Sequence, residues 1–181
     1  MFQKYFQKSF AAVLLSFVFT GCLTIRPAAV KAGKSLYETF LAGNGHTMYF
    51  LKPLHFKTQA GKGAIDMDFT FSHKNVSTDT VSIKFSVLDE QVLKSVDSMR
   101  IISGTTSVLL KPLTHMFSDR GHGEYINRFS TITGLDNLKA LFDHTDWSIK
   151  VYSNGQSRTY VASGKTEKNI DRLRQHVFAV L

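Results

Sequence analysis

The stretch AIDMDFTFS, residues 64–72, alternates apolar and polar side chains without a break. Successive side chains of a β-strand point to opposite faces, so this alternation places one face in a core and the other in water. The segment VSIKFSV, residues 81–87, repeats the same period. The two segments predict strands of a sheet that is buried on one side.

Strand character continues in both directions from these two segments. Residues Ser153-Asn154-Gly155-Gln156 predict the tightest hairpin, because Asn-Gly accepts the positive φ angles of a type I′ turn. Residues 36–42 and 46–58, on either side of Gly43-Asn44-Gly45, predict another hairpin, although Ser35 and Glu38 would also fit the capping box of a short helix. The remaining strand candidates are 98–103, 107–114, 124–131, 147–152 and 158–162.

Two segments have helical rather than strand periodicity. Leu135, Leu138, Leu141 and Phe142 form a short apolar stripe. A longer stripe joins Ile170, Leu173, Val177 and Val180 or Leu181, and Ser163 or Thr166 would cap its start. The predicted fold is mainly β: an antiparallel β-sandwich of about eight or nine strands, with a short internal helix and a C-terminal helix packed on the sheet.

Short sequence motifs that occur twice suggest that residues 51–84 are duplicated in residues 110–150. Leu-Lys-Pro-Leu occurs at 51–54 and 110–113, and Ser-Ile-Lys at 82–84 and 148–150. Between these two matches, two more follow in the same order: the glycines at 61 and 63 recur at 121 and 123, and Phe69 recurs as Phe129. If the repeat is real, two similar β units would pack face to face, with Pro53 and Pro112 on edge strands.

The first 21 residues have the layout of an export signal. Lys4 and Lys8 give a basic start, residues 10–19 are apolar except for Ser16, and small residues follow. A membrane-spanning helix needs about 20 apolar residues, and polar or small residues dilute the segment 9–25. The pattern therefore favours an export signal over a membrane-spanning helix.

Phe19-Thr20-Gly21-Cys22 contains the only cysteine of the chain and resembles a lipobox, the cleavage site of bacterial lipoprotein signal peptides. Phe19 stands where that class prefers Leu. The resemblance implies a signal peptide 1–21, cleavage before Cys22, lipidation of Cys22, and a tether 22–34 ahead of one β-rich domain, 35–181. Leu23 stands where lipoproteins retained at the inner membrane of double-membraned bacteria carry Asp, so the resemblance implies an outer-membrane protein facing the periplasm. In a cell with a single membrane it implies a domain anchored to the cell membrane and facing outward. A cleaved secretory peptide with a free cysteine is the rival interpretation.

Charge and composition limit the partners. The mature chain would keep 20 Lys and Arg against 14 Asp and Glu, scattered along the sequence rather than in a run. This balance is compatible with an envelope protein or an anionic glycan, besides the membrane reached through Cys22. An exported chain is not expected to bind nucleic acid.

No motif predicts catalytic, cofactor or metal chemistry. Ser163-Gly164-Lys165-Thr166 lacks the first glycine of a phosphate-binding loop and fits a helix cap better. His115, Asp119 and His122 lack a fourth ligand and fit a polar loop, and Asp66 and Asp68 fit a solvated strand face. Asn75-Val76-Ser77 matches a glycosylation sequon. We therefore expect a non-enzymatic binding or structural lipoprotein. The alternatives are an envelope hydrolase or a small-ligand-binding lipoprotein whose site residues are dispersed.

Overall fold

A computed structural model describes residues 35–42, 46–73, 80–121 and 123–181, and for Ala42 only the backbone. Residues 35–181 form one compact unit. The strands are β1 (Tyr37–Ala42), β2 (His46–Thr58), β3 (Ala64–His73), β4 (Thr80–Asp89), β5 (Ser98–Ser103), β6 (Thr106–Leu110), β7 (Thr114–Gly121), β8 (Glu124–Gly134), β9 (Trp147–Ser153) and β10 (Gln156–Ala162). The helices are α1 (Leu135–Leu141), α2 (Gly164–His176) and a 3₁₀ turn, Phe178–Val180.

The strands form one ten-stranded antiparallel sheet in the order β6-β5-β9-β10-β2-β3-β4-β8-β7, with β1 also paired to β2. Because the sheet curls, the three residues Lys111-Pro112-Leu113 are enough to connect its first strand, β6, to its last strand, β7. Thr131 of β8 donates a hydrogen bond to the carbonyl of Pro112 (2.9 Å), which fixes this connection. The predicted mainly antiparallel β fold is confirmed.

The inner face of the curled sheet holds the core. Phe56, Phe69 and Trp147 come from three strands and pack ring against ring. Phe142, directly after α1, contacts Trp147 at 4.8 Å between ring centroids and Phe178 at 4.0 Å. The helices thus fill the space that the curled sheet encloses, and aromatic packing joins them to it.

The C-terminal helix is capped and docked as its sequence predicts. Ser163 is the N-cap and accepts from the N–H of Thr166, so the Ser-Gly-Lys-Thr segment is confirmed as a cap. Ile170, Leu173 and Val177 are buried. Of the two residues predicted to end the stripe, Val180 is 73% exposed, whereas Leu181 is partly buried against the core, because α2 ends at His176 and a 3₁₀ turn follows.

Several hairpin predictions are confirmed. Residues 37–42 and 46–51 pair as β1 and β2, so the helix alternative for this segment is wrong. Asn154 and Gly155 both have positive φ, 51° and 74°, as a type I′ turn requires. The strand predicted over 107–114 ends at Leu110, since Pro112 follows.

One strand was missed. The segment that holds His115 and Asp119, expected to be a polar loop, lies in β7 (Thr114–Gly121), which pairs with β8. Its side chains are exposed or half-buried throughout, and the register shifts between His115 and Phe117. A bulge at an exposed edge breaks the alternation by which strands are recognised.

The two Leu-Lys-Pro-Leu segments have different structural surroundings. Leu51–Leu54 lies inside β2 and spans a register shift, whereas residues 110–113 end β6 and start the connection to β7. Pro53 is therefore not on an edge strand. It lies at a bulge, the other place where a sheet tolerates proline, between the stretches of β2 that pair with β1 and with β10. Pro112 follows β6 outside any strand, with a cis peptide bond to Lys111.

Among the described residues, no helix is both long and apolar enough to cross a membrane. The predicted leader, Cys22 and its tether, the turn 43–45, the sequon 75–77 and His122 lie outside the described residues.

Candidate functional site

The strongest candidate site is a cavity of about 280 Å³ between the β4–β5 connection and the β9–β10 hairpin. Asp89, Arg158 and Tyr160 lie in its wall. A rim of neutral polar and small apolar side chains surrounds them: Gln91, Leu93, Val151, Ser153, Asn154, Gln156 and Ser157.

Strand periodicity explains how the three central side chains meet. Asp89 ends β4 and follows Phe85 and Val87 on the buried face, so the alternation that builds the core also turns this carboxylate inward. Arg158 and Tyr160 are two residues apart on β10 and therefore share a face. Asp89 and Tyr160 are 7% and 1% exposed.

Asp89 is held on both carboxylate oxygens. Arg158 donates to one through its Nη1, and the backbone N–H of Gln91 donates to the other at 3.1 Å. Because a buried carboxylate without a partner is strongly unfavourable, this pairing permits a charge at the edge of the core. The Asp89–Arg158 pair is a charge-neutral unit within the cavity.

Tyr160 completes the cluster. Burial raises the pKa of Tyr160, and the nearby Arg158 guanidinium opposes that rise only in part. For Arg158, burial alone would lower the pKa, but Tyr160 and Asp89 outweigh it and the pKa is raised. At neutral pH the cavity therefore presents a protonated phenol and a charged guanidinium.

Two further features shape the cavity. Gly63, in the β2–β3 turn, has φ 127°, and a Cβ there would lie 3.0 Å from the carbonyl oxygen of Leu88 and 3.8 Å from Arg158. Asn127 of β8 is fully buried and accepts a hydrogen bond from the N–H of Leu93 (2.9 Å). Its amide also donates to the carbonyl of Gln91 (3.1 Å). These contacts fix the chain that forms one wall.

A second, larger crevice of about 500 Å³ lies between the α1–β9 connection and α2. Asp146 accepts from the N–H of Gly104, and Asp171 accepts from Arg174 and Gln175. These carboxylates serve turns and helix pairs, so this crevice is the weaker candidate.

The candidate residues named from the sequence make local contacts with neighbouring side chains and backbone. Asp66 bonds to His55 at 2.7 Å and Asp68 pairs with Arg128, on the partly exposed sheet face as predicted. His115 lies 3.0 Å from the hydroxyl of Ser118, which donates to Asn127. Asp119 accepts from the neighbouring N–H of Arg120.

In the part of the chain that the structure describes, no three His, Cys, Asp or Glu side chains are grouped to hold a metal ion. The Asp89 cluster was not predicted from the sequence. Two features could have indicated it: Asp89 takes the next inward position after the alternating apolar residues of β4, and Arg158 precedes Tyr160 by two residues on β10.

No protein-family model, curated protein or solved structure matches this chain. Its function is therefore inferred from its own residues.

Proposed function

We propose that this protein is a lipid-anchored envelope lipoprotein whose folded domain binds a ligand and does not catalyse a reaction. The anchoring part rests on Phe19-Thr20-Gly21-Cys22, which resembles a lipobox. Acyl chains on Cys22 would anchor it stably, since two or more chains hold a protein at a bilayer where one does so only marginally. Leu23 after the cysteine supports outer-membrane placement, with the domain in the periplasm.

The observation that favours binding is the pairing of the charged groups in the cavity with each other. Both oxygens of Asp89 already accept hydrogen bonds, so this carboxylate is poorly placed as a general base. Tyr160, whose pKa is raised, stays protonated and acts as a hydrogen-bonding group rather than a nucleophile. What remains for a ligand is a ring of amides and hydroxyls.

That ring suits a ligand rich in hydroxyl groups, such as an envelope glycan. Gln91, Asn154 and Gln156 each carry an amide that both donates and accepts, and Ser153 and Ser157 add hydroxyls.

Anchoring is tested by metabolic labelling with palmitate. Wild type should be labelled and found in the membrane fraction, and Cys22→Ala should lose both properties. Label on Cys22→Ala, or unlabelled wild type, would refute the anchoring proposal. Protease added to intact cells should leave the domain uncut if it faces the periplasm.

Binding is tested on immobilised oligosaccharides with the chain from residue 23 onward. Ser157→Trp should block the cavity, because Ser157 is exposed on β10 and lines it. Ser107→Trp is the matched control on the distant edge strand β6. We expect wild type and Ser107→Trp to be retained, and retention of Ser157→Trp to be at least tenfold lower. No retention, or equal retention by both variants, would refute a glycan site here.

A further inference from the structure

The hairpin of β1 and β2 carries an exposed apolar cluster at the end where Ala42 pairs with His46. Phe40 is 48% exposed, Leu41 89% and Phe50 39%. Phe40 and Phe50 contact edge to face at 5.5 Å, on the sheet face turned away from the core. Large side chains exposed together in this way indicate a surface that binds an apolar partner.

Other exposed apolar residues lie at the same end of the sheet. Phe50, Thr70, Ser82 and Ile132 are consecutive partners across β2, β3, β4 and β8, and Ile132 is 67% exposed. Val180, 73% exposed, follows Phe178, whose ring contacts Phe71 near the end of β3. The hydrogen-bonded pair His55–Asp66 and the ion pair Arg128–Asp68 lie further toward the other end of these strands.

The length of chain before β1 is short enough to keep this cluster within reach of the membrane. Segment 22–34, at roughly 3.3–3.6 Å per residue, spans at most about 45 Å. The six-residue β1 is roughly 20 Å long, so a chain anchored at Cys22 can reach the membrane with either end of the hairpin. A tether this short also gives a high effective concentration, so weak apolar contacts suffice.

We infer that the hairpin end, defined by Phe40, Leu41 and Phe50, rests in the interface of the lipid bilayer to which the chain is anchored. This inference rests on the proposed anchoring at Cys22. Phe40 and Phe50 on the outer face and Leu41 on the opposite face expose apolar side chains around the same end of the hairpin, and such side chains partition into the region between headgroups and acyl chains. The domain is then oriented on the bilayer by two attachments, the lipid and the hairpin.

The test places a tryptophan at the hairpin end and measures quenching by brominated phospholipid. Residues 23–181, with an amino-terminal hexahistidine, are held on phosphatidylcholine vesicles that contain a nickel-chelating lipid. The described core lies within 35–181, so this chain contains all of it. Attachment through nickel separates the hairpin's contact from acylation of Cys22, which palmitate labelling tests independently.

Phe40→Trp should lose at least half of its added emission on brominated vesicles. Native Trp147 is 1% exposed and supplies a constant background. Leu109→Trp is the matched control: Leu109 is 43% exposed and pairs with Arg100 on β5, away from the hairpin. Leu41→Asp added to Phe40→Trp should reduce the quenching. Equal quenching of the Phe40→Trp and Leu109→Trp variants would overturn the inference. So would an absence of quenching in Phe40→Trp when flotation shows that this variant is bound to the vesicles.

Discussion

Asn127→Ala should destabilise the domain more than any other single polar substitution near the cavity. Asn127 is fully buried on β8, and its side chain makes four hydrogen bonds. Its oxygen accepts from Leu93 N–H and from Ser118, and its amide donates to the carbonyls of Gln91 and Val87. Within the described residues, no buried side-chain nitrogen or oxygen lacks a partner. The substitution would therefore open a defect in a satisfied network.

The magnitude follows from the groups left behind. At least the N–H of Leu93 and the carbonyl of the fully buried Val87 lose their side-chain partner, at about 1–3 kcal/mol each. The free energy of unfolding should fall by roughly 2–6 kcal/mol, a large share of the ~5–15 kcal/mol typical of a domain. Urea unfolding of residues 35–181, followed by tryptophan emission, measures this through the shift in midpoint.

Two variants sharpen the test. Asn137→Ala removes the same side chain from an exposed site, where it bonds to Thr133 at 3.1 Å, and should cost about 0.5 kcal/mol or less. Asn127→Asp keeps the accepting oxygen but turns a second oxygen toward two carbonyls, so it should cost at least as much as Asn127→Ala. A midpoint for Asn127→Ala equal to that of Asn137→Ala would refute the role assigned to this network.

Three further predictions concern the rest of the domain. Leu173→Ala should cost roughly 2–5 kcal/mol in urea and Arg172→Ala about 0.5 kcal/mol or less, because only Leu173 is buried; equal midpoints would mean that α2 contributes little to the fold. Gly104→Ala should cost about 1–2 kcal/mol from its φ of 53° alone, and more from a Cβ placed 2.6 Å from the ring of His144. Adding His144→Ala should relieve only the second part, and no relief would exclude the clash. Because the folded pKa of Tyr160 is raised above its unfolded value near 10, wild-type stability should fall as pH rises above about 10, and Tyr160→Phe should flatten that fall; identical slopes in urea titrations at pH 8 to 11 would contradict the burial argument.

The sequence predicts the strands whose two faces meet different surroundings. In β3 and β4 the alternating apolar residues, 65–71 and 81–87, are buried and most residues between them are partly exposed, so burial and alternation coincide. Strand β7 has no buried face, and a bulge shifts its register, so neither signal exists there. Pro53 was misplaced for a related reason, since the bulge in β2 that accommodates it depends on how β1, β3 and β10 pair along that strand.

The candidate site is harder to predict because its parts are distant in sequence. Asp89 and Arg158 are 69 residues apart and meet only because β4 and β10 belong to a sheet that curls. Asp89 follows the apolar residues of β4, and Arg158 lies between Ser157 and Thr159 on β10, so neither residue alone differs from an ordinary charged residue of a strand. Their pairing is a property of strand order, which local periodicity does not specify.

The two proposals place the ligand and the membrane at opposite ends of the domain. Strand β4 begins at Thr80, whose partner is Gly134 near the hairpin end, and finishes at Asp89 in the cavity. Its ten residues separate these points by about 30 Å. A hairpin resting in the bilayer would therefore direct the cavity toward the aqueous side, at a height that suits a glycan in the periplasm rather than a lipid headgroup. Loss of the apolar cluster would leave the cavity intact but free to tumble on its tether, so Leu41→Asp should alter orientation on vesicles without altering oligosaccharide binding in solution.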